Sequence, residues 1–183
     1  MAESQPKRLR YFDGRLLATA DFQLEQHYFR DKSKLHNRSL HGFGIVSGLK
    51  VSMAAGQIVI EPGMALDCEG NELVIPSAQS IVLPAMSHEW TSAFVSVSYS
   101  EEPTDPVAAV PSEPGTSDKA SEASTITESF ALAVAPENCN RGHRHLRARW
   151  LACGQAHALT IAKLKRNSHG WRVERGYRPP VIK

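Results

Sequence analysis

Residues 36–51 read HNRSLHGFGIVSGLKV, and the fold depends on how this stretch is divided. Its first half is polar and basic, with His36, Arg38 and His41 close together. Its second half is apolar and punctuated by Gly42, Gly44 and Gly48. The stretch is either a histidine-based site or the seam where a helix hands over to a sheet. His36 and His41 are five residues apart, so on an α-helix they stand about 140° apart and share no face. With His27 they read as polar helix side chains, the last ones favoured by the negative C-terminal end of the helix dipole. The seam is the better reading.

Upstream, residues 1–18 form a polar, basic N-terminal arm with a turn at Asp13-Gly14 between apolar residues. Thr19 offers an N-cap and Asp21 a negative charge in the first turn. No Gly or Pro occurs from Ala20 to Leu40. Leu24, Tyr28 and Leu35 repeat at helical spacing, with Phe22 and Phe29 beside them. This predicts a helix over 19–41, about 30 Å long, stopped by Gly42 and Gly44.

Downstream, residues 42–183 read as a β domain. IVSGLKVS, GQIVIEPG, MALDC, NELVIP and SIVLP are short β-rich runs, and CEGNE is a hairpin turn with an exposed tip. SAFVSVSYS and SFALAVAP alternate and should pair around a long surface loop, residues 101–127, which is rich in Pro, Ser and Thr. HALTIAKLKR and GWRVERG supply further strands. The fold class is mainly β with an N-terminal α-helix, an antiparallel sandwich or barrel.

Composition narrows the class of function. The chain has 183 residues, 42% hydrophobic and 22% charged, with a net charge of +2. The charge is unevenly spread. Residues 101–128 carry seven acids and one base, whereas residues 139–183 carry eleven Lys/Arg and only Glu174 as an acid. Such asymmetry suggests a basic surface that meets something acidic. No apolar run is long enough to span a membrane, and the start has no signal-peptide core, so cytoplasmic synthesis is expected. Three cysteines argue against a disulfide framework.

Enzyme motifs fail one by one. There is no G-x-S-x-G elbow, and GFGIVSG has Ser47 where a dinucleotide loop needs its last glycine. Asp67 and Glu69 flank Cys68 in the manner of a hydrolase carboxylate pair, but an exposed hairpin tip is the commoner setting. The strongest chemical cluster is Cys139, His143, His145, Cys153 and His157, whose Cys and His content suits a structural zinc. Its C-x3-H spacings are not those of a zinc finger, so the leading expectation is no cofactor, with a zinc-binding interaction module as the alternative. Trp150, Trp171 and Tyr177 interleave with Arg147, Arg149, Arg172, Arg175 and Arg178. That mixture suits a protein interface first and nucleic acid second.

Two longer segments carry a resemblance. Residues 10–51, RYFDGRLLATADFQLEQHYFRDKSKLHNRSLHGFGIVSGLKV, and residues 56–76, GQIVIEPGMALDCEGNELVIP, resemble small baseplate and tail-fibre-associated proteins of contractile tails, in phages and phage-like injection systems. The GIVSGL and PGMALDCEG elements resemble the shoulder domain of phage receptor-binding proteins. The Asp21-Phe22 and Glu25-Gln26 start, the DCEGNEL hairpin and YRPPVI near the end resemble the type VI secretion baseplate component akin to them. The resemblance implies a β-sandwich shoulder, a homo-oligomer with a trimer favoured, and no enzymatic activity. It implies partners among baseplate, tail-fibre or receptor-binding proteins, in an assembled phage tail or injection particle. Phe22, Leu24, Tyr28, Phe29 and Leu35 would then form the interface, with Gly42, Gly44 and Gly48 allowing close backbone approach.

Overall fold

A computed structural model describes residues 5–83, 90–108, 121–139, 158–168 and 170–182. One helix, α1 (Thr19–His36), runs into a single π turn (Asn37–His41). Six short strands follow: β1 (Gly44–Gly48), β2 (Val51–Ala54), β3 (Gln57–Ile60), β4 (Gly63–Leu66), β5 (Glu72–Ile75) and β6 (Gln79–Val82). Two long strands, β7 (Ser92–Ala108) and β8 (Ser121–Ala135), precede β9 (Leu159–Asn167) and β10 (Gly170–Val173). The fold is mainly β with an N-terminal helix.

The strands form three sheets, ordered β1-β4-β5, β2-β3-β6 and β10-β9-β7-β8, and their pairings are antiparallel. Alternation explains which side chains turn inward. Ile58 and Ile60 of β3, and Leu73 and Ile75 of β5, are buried, while Glu72 and Val74 face out. They meet Ala93, Val95 and Val97 of β7 and Leu159, Ile161 and Leu164 of β9 in one shared core. Residues 179–182 close the β1 edge: Ile45 N–H donates to the Pro180 carbonyl at 2.8 Å, and Ile182 N–H to the Ile45 carbonyl at 2.9 Å.

IVSGLKVS, expected as one run, is two strands broken at Gly48 and Leu49. Both have positive φ, 64° and 56°. Leu49 holds this unfavourable conformation because its side chain is only 2% exposed in the core. Gly48 lies against Gly63 in the β1–β4 pair, where a Cβ would stand 2.0 Å from the Pro62 carbonyl oxygen.

The loop expected over 101–127 needs correction. SAFVSVSYS and SFALAVAP do pair, but the ladder continues outward through Ala108 and Ser121, so residues 101–108 and 121–127 are strand. Residues 109–120 lie outside the described residues. Pro103 and Pro106 lie in the part of β7 beyond Val97, where β9 no longer pairs with it. Beyond that point β7 is an edge strand, the setting in which a sheet tolerates proline. The outcome is a two-stranded arm standing out from the core.

Candidate functional site

Two features project from the body, and the first is α1. Its N-terminus is held by Asp21, which accepts from the Ala18 N–H at 3.0 Å and from Arg15 Nη2 at 2.6 Å. Ala18 is therefore the capping residue and Thr19 the first helical one, one position from the expected cap. The two donors hold the Asp21 carboxyl below its ordinary pKa, the Ala18 N–H contributing most and Arg15 next. Tyr11 O–H donates to Glu25, so the preceding arm folds back along the helix.

None of the residues of α1 is buried. Phe22 and Phe29 are 52% and 63% exposed, and Leu24 is exposed as well. Tyr28 and Leu35 are half-buried, with Tyr28 edge-on to Phe29 at 5.4 Å. Tyr11, Phe12, Leu16 and Leu17 extend this apolar surface along the arm. A helix rarely leaves so much apolar area in water without covering it in an assembly.

The C-terminal end of α1 is fixed by a polar latch. Asn37 Nδ2 donates to the Gly70 carbonyl at 3.0 Å and to Glu72 Oε1 at 3.1 Å. Arg38, also buried, donates to the Glu69 carbonyl at 3.4 Å. Beneath them Asp67 organises the turn: its carboxylate accepts from the N–H groups of Glu69 and Asn71 and from Asn71 Nδ2, at 2.7–2.9 Å. The CEGNE turn is thus no exposed tip. Asp67 and Cys68 are each 5% exposed because the helix end covers them, and the Asp67 carboxylate is committed to the turn. Gly70, at φ +89°, lies so close to the helix that a Cβ would be 2.2 Å from the Lys34 carbonyl oxygen.

The π turn overturns the expected separation of His36 and His41. Gly42 N–H bonds to the Asn37 carbonyl at 3.1 Å, a five-residue span that widens the helix. Residues five apart come into register, and the two imidazole rings lie 5.4 Å apart. Both histidines are exposed, and among the described residues no group of three His, Cys, Asp or Glu is placed to hold a metal.

The second projection is the arm of β7 and β8. Its residues from 101 to 108 and 121 to 128 are almost all exposed, including Val107 and Ile126. Hydroxyl groups stiffen it. Thr104 Oγ1 lies 2.7 Å from Thr125 Oγ1 and 2.9 Å from Thr127 Oγ1, and Ser124 donates to the Asp105 carbonyl at 2.7 Å. Asp105 takes φ 53° between Thr104 and Pro106, where one pair is missing and the register is kept. The arm and helix meet where Arg30 pairs with Glu101 at 3.5 Å and Lys34 lies over the Tyr99 ring at 5.8 Å. Burial, then hydrogen bonding to Glu101, raises the Tyr99 pKa, with Glu128 adding to it.

No family model matches the sequence, and no curated protein matches it. Solved structures do match. The chain shares a fold with TssK. A crystal structure of TssK superposes at a TM-score of 0.54 and 12% identity, over 97% of this chain and 44% of that one. The baseplate complex from the type VI secretion system gives 0.58 and 11%, over 97% and 42%. A TssK-TssF-TssG baseplate subcomplex gives 0.54 and 12%, over 97% and 62%. The chain therefore spans less than two thirds of each of those chains.

The remaining sequence candidates divide. Gly42, Gly44 and Gly48 occupy tight positions, and the close backbone approaches at Gly44 and Gly48 are to Pro180 and Pro62 of the same chain. Cys139 is half-buried, and its N–H donates to Thr160 Oγ1 at 3.1 Å. His143, His145, Cys153 and His157, with Arg147, Arg149 and Trp150, lie outside the described residues. Tyr177 packs edge-on against Phe94 at 6.0 Å. The latch residues Asn37, Asp67 and Gly70 do not stand out as a unit in the sequence. The available signal was Asp67 just ahead of Gly70, since an Asp side chain in a turn bonds the backbone two residues on, here at Glu69.

Proposed function

We propose that this chain is a non-enzymatic structural component of a contractile injection-system or phage-tail baseplate. It links baseplate parts to fibre or receptor-binding parts and assembles with copies of itself, a trimer being favoured. In this reading the body is a sandwich-like shoulder, made in the cytoplasm and incorporated into the particle. The observation that carries it is α1: a helix with Phe22, Leu24 and Phe29 exposed and no residue buried, yet held to the body by the Asn37–Gly70 latch. A free monomer gains nothing from such a helix, whereas an assembly buries it and gains roughly 25 cal/mol per Å² of apolar surface. The fold likeness to type VI secretion baseplate chains supports the same reading.

The test is a Phe22→Asp, Phe29→Asp double variant expressed in cells that make the particle. Its melting temperature should match the native protein, because neither side chain is in the core. It should fail to co-sediment with baseplates. Normal incorporation of the variant would sink the proposal.

A further inference from the structure

Sheet β10-β9-β7-β8 carries opposite charge at its two ends. On the basic end, Lys165 of β9 and Arg172 of β10 are direct cross-strand neighbours. Like charges placed opposite one another destabilise a sheet unless something offsets them. The nearby acid, Glu174, is already held by Lys163 at 2.8 Å. Lys163, and then Lys165 and Arg172, lower the Glu174 pKa, so all three cations bear on one place. Lys165 and Arg172 are exposed, and no ion pair or hydrogen bond joins either side chain to another of the described residues.

The arm is the mirror case. Its described residues 101–108 and 121–128 hold five acids and no base. Glu101 and Glu128 are direct cross-strand neighbours, a second like-charge pair of opposite sign, which Arg30 of α1 offsets only on Glu101, at 3.5 Å. Side chains alternate along a strand, so Glu122, Ile126 and Glu128 project from one face of β8, with Val107 opposite Glu122. That face pairs acids with exposed apolar surface, the make-up of a contact region.

The arm cannot reach the basic end of its own molecule. Ser92 of β7 lies opposite Lys165, and Glu101 is nine residues further along the same strand. At about 3.3 Å per residue the two ends are held roughly 30 Å apart. Attraction over that distance is screened at physiological salt. We infer that the acidic face of the β7–β8 arm in one copy docks on the Lys165–Arg172 patch of a second copy, in a head-to-tail contact. Such a contact closes a ring where its rotation allows. The inference rests on the proposed self-assembly and names the surfaces that carry it.

The test uses the purified full chain and charge reversal. In ~0.1 M salt, at a concentration where the native protein associates, its mass by sedimentation equilibrium should exceed the 20.1 kDa of one chain, and in ~1 M salt it should fall. Glu122→Lys with Glu128→Lys should weaken association at least about tenfold, and so should Lys165→Glu with Arg172→Glu. All four reversals in one chain restore complementary ends, so association should return. Circular dichroism melts confirm that each variant is folded. Three results would overturn the inference: a native mass of one chain in ~0.1 M salt, association indifferent to salt and charge, or a folded fourfold variant that stays monomeric. Salt-indifferent association would leave the apolar-helix proposal standing. Co-purifying nucleic acid that the Lys165 and Arg172 variants lose would assign the patch to phosphate instead.

Discussion

The helix and the β arm both reach out from the same body, yet they are attached in different ways. The arm is continuous with the core: β7 and β8 keep one register from Phe94 to Ala108, with only Asp105 left out of the pairing. Its rigidity is inherited from backbone hydrogen bonds. Helix α1 has no such continuity and no buried residue. It is aimed by side-chain contacts, from Asn37 and Arg38 to the Gly70 turn and from Arg30 and Lys34 to Glu101 and Tyr99 of β7, while Asp21 caps its first turn. A projection built on a ladder should resist single substitutions, whereas one built on a latch should not.

The largest expected effect is therefore at the latch. Gly70→Ala puts a Cβ 2.2 Å from the Lys34 carbonyl oxygen and forces alanine into φ +89°. It should cost about 2 kcal/mol or more and raise amide exchange throughout α1, measured by hydrogen–deuterium exchange. Unchanged protection of α1 would remove the distinction between the two attachments.

A pH effect comes next. The Asp21 pKa is lowered in the folded chain, so its stabilising contribution is complete above the ordinary carboxylate value of 3.8. It is lost as pH falls through the lowered value, because protonation releases the Ala18 N–H and Arg15. Amide exchange of the first turn of α1 should rise below about pH 4 while the arm is unaffected. Asp21→Asn should show the loosened first turn at neutral pH.

The smallest effect is expected in the arm. Ile126→Ala removes an exposed side chain and should change stability by about 0.5 kcal/mol or less in a denaturant titration. The same replacement at the fully buried Ile58 should cost about 2–5 kcal/mol. If Ile126→Ala were as costly as Ile58→Ala, the arm would not be the exposed projection seen here.

Much of this was legible in sequence because it depends on local periodicity. The helical spacing of Leu24, Tyr28 and Leu35 encodes a helix, and the alternation of β3 and β5 encodes two strands and their inward faces. The π turn was not legible, because a one-residue widening leaves no mark on an amphipathic pattern. Nor was the arm. Pro103 and Pro106 signal a loop unless one knows that β9 stops at Val97 and leaves that edge of β7 unpaired. The buried state of Asp67 depended on a helix end arriving from 30 residues upstream, at Asn37.

The sequence alone determined the order of the elements, the seam at residues 36–51, and the segregation of acids from bases along the chain. Those are properties of neighbours, set by side-chain period, turn chemistry and charge count. Tertiary structure decided what that segregation means. It laid acidic and basic segments along one sheet and held them too far apart to neutralise each other. It also left α1 uncovered, because burial and distance are fixed only when remote strands come into register.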